Sequence, residues 1–223
     1  MGAVRPEYRK LADDLPRLAS EFGCRIPDAA ARDLLVFTLA TECIDRVLDA
    51  LEEADERRRF SRALLAALHG DSDASARFPL ELQDHVAALA LVIARHGLTA
   101  RFCALAARAL DNTERMRTTE RPGEWVACVE EEGRLTVELA LLFVAAHANP
   151  AFVRFFRSVA ELGNLVDKLK DARGDHRRGE MALRPGLRVH ARLLGALVRR
   201  TPRAATRHPR LGAFVAWGLG YLG

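Results

Sequence analysis

Residues 160–185 read AELGNLVDKLKDARGDHRRGEMALRP. Three aspartates, Asp167, Asp171 and Asp175, recur at four-residue spacing, and Asn164 stands three residues before the first. Residues three and four apart share a helix face. At 3.6 residues per turn these four side chains fall within about 80° of arc. Leu162, Leu165, Val166, Leu169 and Ala172 take the opposite side and predict an amphipathic helix. A row of like charges destabilises an isolated helix by a few tenths of a kcal/mol per pair. A divalent cation with oxygen ligands would offset that repulsion.

The rest of the chain reads in the same way. Apolar residues make up 49% and charged residues 29% of 223, ordinary for one globular domain with a sizeable core. Segments between breakers are long and rich in Ala, Leu, Arg and Glu, which favours helix nearly everywhere. The expected order begins with an amphipathic segment over 6–22, divided or kinked at Pro16. A buried helix follows from Pro27-Asp28 to about Arg59, then a short helix over 60–69 and a loop, HGDSDASARFP. Helices are expected over 80–96, stopped by Gly97, and over 100–117, with Thr99 as N-cap. Pro122-Gly123 breaks the chain before a helix over 124–147, and Asn149-Pro150 precedes the acidic helix. A basic helix over 187–200, a proline-punctuated linker over 201–210 and an apolar end with Trp217 and Tyr221 complete it. The expectation is a single all-α domain over 1–223, with its core at about 28–200.

The net charge is +4, and no Asp or Glu follows Glu180, whereas Arg184, Arg188, Arg192, Arg199, Arg200, Arg203, Arg207 and Arg210 do. A basic stretch is by default a solvated helix face, and nothing nearby resembles a nucleic-acid recognition motif. No nucleic-acid partner is expected. An anionic membrane surface is the partner such an end could meet. Cys24, Cys43, Cys103 and Cys128 show neither CxxC nor paired spacing and sit in apolar helical contexts. That argues against zinc and disulfides and predicts a cytoplasmic protein. The charged N-terminus does not read as a signal peptide, and the apolar run over 211–222 is too short to span a bilayer. The seven histidines lack metal-ligand spacing, and no P-loop, dinucleotide fingerprint or nucleophile elbow is present.

A second acidic pattern lies in the helix expected over 28–59. Thr38, Thr41, Glu42, Asp45, Asp49 and Glu52 draw one polar stripe along an otherwise apolar segment. Asp45 and Asp49 stand one turn apart, as Asp167, Asp171 and Asp175 do. Two such helices could hold Mg²⁺, which uses one or two carboxylates per ion and completes its shell with water and phosphate oxygens. A diphosphate substrate fits that demand. Arg117, Arg134, Lys168, Arg177 and Arg178 are the candidate diphosphate contacts, since a guanidinium pairs bidentately with such oxygens. Arg134 and Glu138 also have the spacing of an ordinary ion pair. Phe37, Phe143, Thr38 and Thr41 are candidate cavity residues, with ring faces suited to a cation.

These motifs resemble those of squalene and phytoene synthases. The stretch DKLKDARGDHRRGEMALRP is similar to that family's second aspartate-rich motif through Asp171, Asp175, Arg177, Arg178, Gly179 and Leu183, and CIDRVLD is similar to its first through Asp45 and Asp49. Asp167 stands where the family usually has asparagine, and Asn164 where it usually has glutamine. The resemblance implies the all-α class I isoprenoid synthase fold with a central apolar cavity. It further implies Mg²⁺, bound together with a prenyl diphosphate, at Asp45, Asp49, Asp167, Asp171, Asp175 and Asn164. The activity it implies is ionisation of an allylic prenyl diphosphate, followed by cyclisation, coupling or water capture. The alternative is a non-catalytic helical protein that binds an isoprenoid or a partner.

Overall fold

In the computed structural model the backbone is described for residues 6–207 and the side chains for residues 13–202. The expected segment at Trp217 and Tyr221 lies outside the described residues. The order of helices is α1 (Pro6–Ser20), α2 (Asp28–Asp49), α3 (Ala54–Leu68), a single turn α4 (Ser72–Ser75) and α5 (Leu80–Arg95). There follow α6 (Thr99–Thr118), α7 (Pro122–Val144), a 3-10 turn (Ala145–His147), α8 (Pro150–Arg177) and α9 (Leu187–Arg207). No strand occurs among the described residues, so the fold is all-α. None of the described helices is long and apolar enough to cross a membrane.

Local chemistry explains the boundaries. Gly97 takes φ +64°, and the bonds from its N–H to Ala94 O and from Leu98 N to Ile93 O close α5 as a left-handed glycine cap should. Pro122 sits in the first turn of α7, where a missing N–H costs nothing. Asn149 caps α8, its Oδ1 accepting from Phe152 N at 2.9 Å, while its Nδ2 donates to Phe22 O after α1.

Helix α1 is one helix through Pro16, α4 forms a turn inside the expected loop, and two boundaries differ more widely from expectation. The helix expected to run to Arg59 stops at Asp49, and a new one starts at Ala54. Carboxylates explain the break: Asp49, Glu52 and Glu53 are unfavourable at a helix C-terminus, whereas Glu53, Asp55 and Glu56 are favourable at a helix start. Arg57 Nη1 donates to Leu51 O and Glu52 O and ties the turn. The linker expected from Thr201 is instead the last part of α9, which continues through Pro202 to Arg207. Pro202 removes one backbone donor there, and the preceding Thr201 bonds its hydroxyl back to Leu197 O at 2.8 Å.

The chain divides into two compact units, Met1–Arg108 with Leu139–Phe152, and Ala109–Glu138 with Val153–Gly223. In the first, Phe37 of α2, Phe102 of α6 and Phe143 of α7 pack ring against ring, with centroids 5.6–6.1 Å apart. Beside this core, buried Asp33 accepts from Arg95 Nη2 and lies 2.7 Å from His96 Nε2, joining α2 to the end of α5. Burial pushes the Asp33 carboxyl up, but hydrogen bonds and charge from His96 and Arg95 outweigh it and hold it below the usual carboxylate range. A depressed carboxylate contributes stability above the unfolded pKa and loses it as pH falls through the folded one. Thermal denaturation of wild type and Asp33→Asn is therefore expected to differ most at neutral pH. The gap should shrink as pH falls below about 4.

In the second unit Trp125, Val129, Leu165, Ala172, Met181, Leu193 and Ala196 form a core shared by α7, α8, α9 and the α8–α9 loop. This core positions the acidic motif.

Candidate functional site

The aspartate row on α8 does not keep to one environment. A four-residue repeat on a 3.6-residue helix advances about 40° per step. The advance runs toward the side where Leu165 and Ala172 are fully buried. Asp167 and Asp171 are consequently exposed, and Asp175 is only 3% exposed. One sequence pattern thus yields two solvated carboxylates and one buried carboxylate.

Both oxygens of Asp175 accept from cations. Lys168 Nζ lies 3.0 Å from Oδ2, and Arg178 Nη2 lies 2.6 Å from Oδ1. Arg178 also reaches Glu180, with Nε 2.6 Å from Oε1 and Nη2 3.1 Å from Oε2. The ions decorate a glycine-terminated helix end. Gly179 has φ +76°, its N–H donates to His176 O, and Glu180 N donates to Asp175 O, which is the Schellman pattern. That motif commonly joins an apolar pair at the positions Asp175 and Glu180 occupy; here Arg178 bridges two carboxylates instead. His176 Nδ1 contacts Met181 O at 3.0 Å, and Ala182 N donates to Arg117 O at the end of α6. Arg177 and Arg178 are both exposed, but only Arg178 belongs to the cap.

Lys168 is largely buried beside this cap. Burial works against its charge, but Glu132, Asp175 and Glu180 outweigh it and raise the ammonium above the usual lysine range. Lys168 is therefore a fixed cation. One turn before it, Asn164 Nδ2 donates to Val129 O at 2.6 Å and to Glu132 Oε2 at 3.0 Å. This crossing of α7 and α8 is very close. A Cβ placed on Gly133 would lie 2.9 Å from Ala160 O and 3.1 Å from Asn164 Cβ. Glu132, Asn164, Lys168, Asp175, Arg178 and Glu180 thus draw a polar seam along the α7–α8 crossing to the cap. Sequence reasoning overlooked Glu132 and Glu180; Gly179, as a helix stop, was the available pointer to the second.

The remaining candidates fall elsewhere. Asp45 is half-buried and Asp49 exposed on the last turns of α2, in the first unit. Thr38 Oγ1 bonds back to Leu35 O and Thr41 Oγ1 to Phe37 O, so both hydroxyls serve α2 itself. Phe37 and Phe143 are partners in the aromatic trio. Arg117 is buried in the second unit. Arg134 pairs with Glu131, three residues before it, and not with Glu138, which Arg157 of α8 takes with two guanidinium nitrogens. An open cleft of about 460 Å³ lies at the α6–α7 turn, lined by Arg115, Thr118, Thr119, Glu120, Arg121, Glu124 and Cys128.

Mg²⁺ can be tested against these donors. Among the described residues no group of three or more His, Cys, Asp or Glu side chains could hold a metal ion. Mg²⁺ needs fewer, since water and phosphate oxygens fill most of its shell. The pairs Asp45/Asp49 and Asp167/Asp171 are hard oxygen donors one turn apart on a helix, with Asp45, Asp49 and Asp167 each already taking part in another interaction. Asp175 suits Mg²⁺ poorly, because both of its oxygens already accept from cations. Compared with known protein families, curated proteins and solved structures, the chain matches none.

Proposed function

We propose that this chain is a Mg²⁺-dependent class I isoprenoid enzyme that ionises an allylic prenyl diphosphate, with the resulting cation cyclised, coupled or captured by water. The observation that carries this reading is the exposed pair Asp167 and Asp171 on α8, followed directly by a rigidly capped Arg177-Arg178-Gly179 turn. Asp45 and Asp49 on α2 are a separate pair of hard donors one turn apart, in the first unit. Mg²⁺, when bound with substrate, supplies Lewis-acid neutralisation of the departing diphosphate. Arg177 offers an exposed guanidinium one turn beyond Gly174 and six residues beyond Asp171, suited to bidentate phosphate contact. Asp175 acts in this reading through position: held by Lys168 and Arg178, it fixes the last turns of α8 so that Asp171 and Arg177 keep their register.

Diphosphate release from prenyl diphosphates of graded chain length, geranyl to geranylgeranyl, checks the proposal. Release is expected only with Mg²⁺, and Asp171→Ala is expected to reduce it at least tenfold while leaving helical circular dichroism intact. Absence of release at every chain length from the folded protein sinks it. The charge-compensated Asp175 specifically favours a second reading, a protein that binds the isoprenoid diphosphate without turnover. Calorimetry separates the two, since tight binding with no diphosphate released selects the second.

A further inference from the structure

The helix α9 carries two apolar stripes, and only one is buried among the described residues. Val189, Leu193 and Ala196 are buried in the core of the second unit. Arg200 lies on that same inward side, paired with Glu130 and Glu161. The other stripe is Leu187, Ala191, Leu194 and Val198, at the i, i+4, i+7, i+11 positions of one face, within about 60° of arc. Leu187 is 87% exposed, Val198 70% and Leu194 53%. Next to it on the helix surface run Arg188, Arg192 and Arg199, all exposed and none in an ion pair among the described residues. No acidic residue occurs on α9 or anywhere after Glu180.

We propose that this outer face of α9 docks on an anionic lipid surface, the helix lying in the interface plane with Leu187, Leu194 and Val198 at acyl depth. Charge complementarity selects that occupant. Solvent explains the arginine row but not three large apolar side chains beside it. An ordinary protein surface would account for the stripe, but not for an arginine rail with no acid to balance it. An apolar stripe beside a rail of exposed arginines matches the boundary between acyl chains and anionic headgroups. The proposal is independent of the enzymatic reading, because it uses none of the acidic motif.

Flotation of the full chain with phosphatidylcholine vesicles, and with the same vesicles containing a minority of phosphatidylglycerol, tests it. Binding is expected only to the anionic vesicles and should weaken as salt rises. The triple variant Leu187→Ser/Leu194→Ser/Val198→Ser is expected to reduce it at least about tenfold. Arg188→Gln/Arg192→Gln/Arg199→Gln is expected to reduce it about a hundredfold. All six side chains are exposed, so both variants should keep the wild-type melting temperature. Residues 203–223 are present in every protein compared, so a difference between variants belongs to α9. Equal binding to neutral vesicles, undiminished binding by either variant, or no flotation at all overturns the proposal. So does concentration-dependent self-association, lost in the serine variant, without lipid binding.

Discussion

Asp175→Ala is expected to destabilise the second unit by about 3 kcal/mol and to broaden or split its thermal transition. The substitution leaves Lys168 largely buried and stripped of the carboxylate 3.0 Å from its ammonium. Breaking a buried pair by deleting one partner costs about 3–5 kcal/mol. The lower end applies because the other partner, Arg178, is more than half exposed and regains water. A double variant distinguishes a charge effect from lost packing. Lys168→Met added to Asp175→Ala removes the ammonium that has lost its hydrogen-bonded carboxylate and should recover part of the loss, giving a coupling energy of about 1 kcal/mol or more. If the two substitutions simply add, Lys168 and Asp175 do not act as a pair. The same variant bears on function, because the cap ties α8 to Arg117 of α6 through Ala182.

The second expected result is a change of sign between two glycines. Glycine inside a helix ordinarily costs about 1 kcal/mol relative to alanine. Gly163→Ala should therefore stabilise, since a Cβ there meets nothing within 4 Å. Gly133→Ala should do the opposite. Its Cβ would press on backbone at Ala160 O, which no rotamer change can relieve, and on Asn164 Cβ. Overpacking of that kind costs about 1–3 kcal/mol, so a net loss of about 1–2 kcal/mol is expected after the propensity gain. The displaced Asn164 would also weaken its bonds to Val129 O and Glu132, giving a readout beside the melting temperature. A Gly133→Ala protein more stable than wild type would show that α7 and α8 do not approach this closely.

Much of the helix order is legible in the residues because its signals are local. Gly97, Pro122, Asn149 and Gly179 each act within a turn of their own position, through backbone conformation or a single capping bond. The break at 50–53 was less legible. Glu52 and Glu53 suit helix interiors by propensity, and only their placement relative to a helix dipole makes them a boundary. The end of α9 departs from the pattern for the converse reason: Pro202 costs one hydrogen bond, and a helix packed along one face tolerates that loss.

For the candidate site, the one-turn spacing of Asp167, Asp171 and Asp175 follows from the sequence alone, because helical periodicity is a property of the backbone. Their different surroundings do not. Whether a 40° advance per step carries a carboxylate into solvent or into the core depends on where α7 and α9 lie, and no pattern within residues 160–185 encodes that. The four-residue repeat thus comprises two exposed acids, Asp167 and Asp171, and the buried, ion-paired Asp175. The sequence determined an all-α chain, its acidic turn and its acid-free basic end. The tertiary structure decided which charges meet, because contacts such as Glu132 with Asn164 or Arg200 with Glu130 join residues far apart in the chain through packing against a shared core.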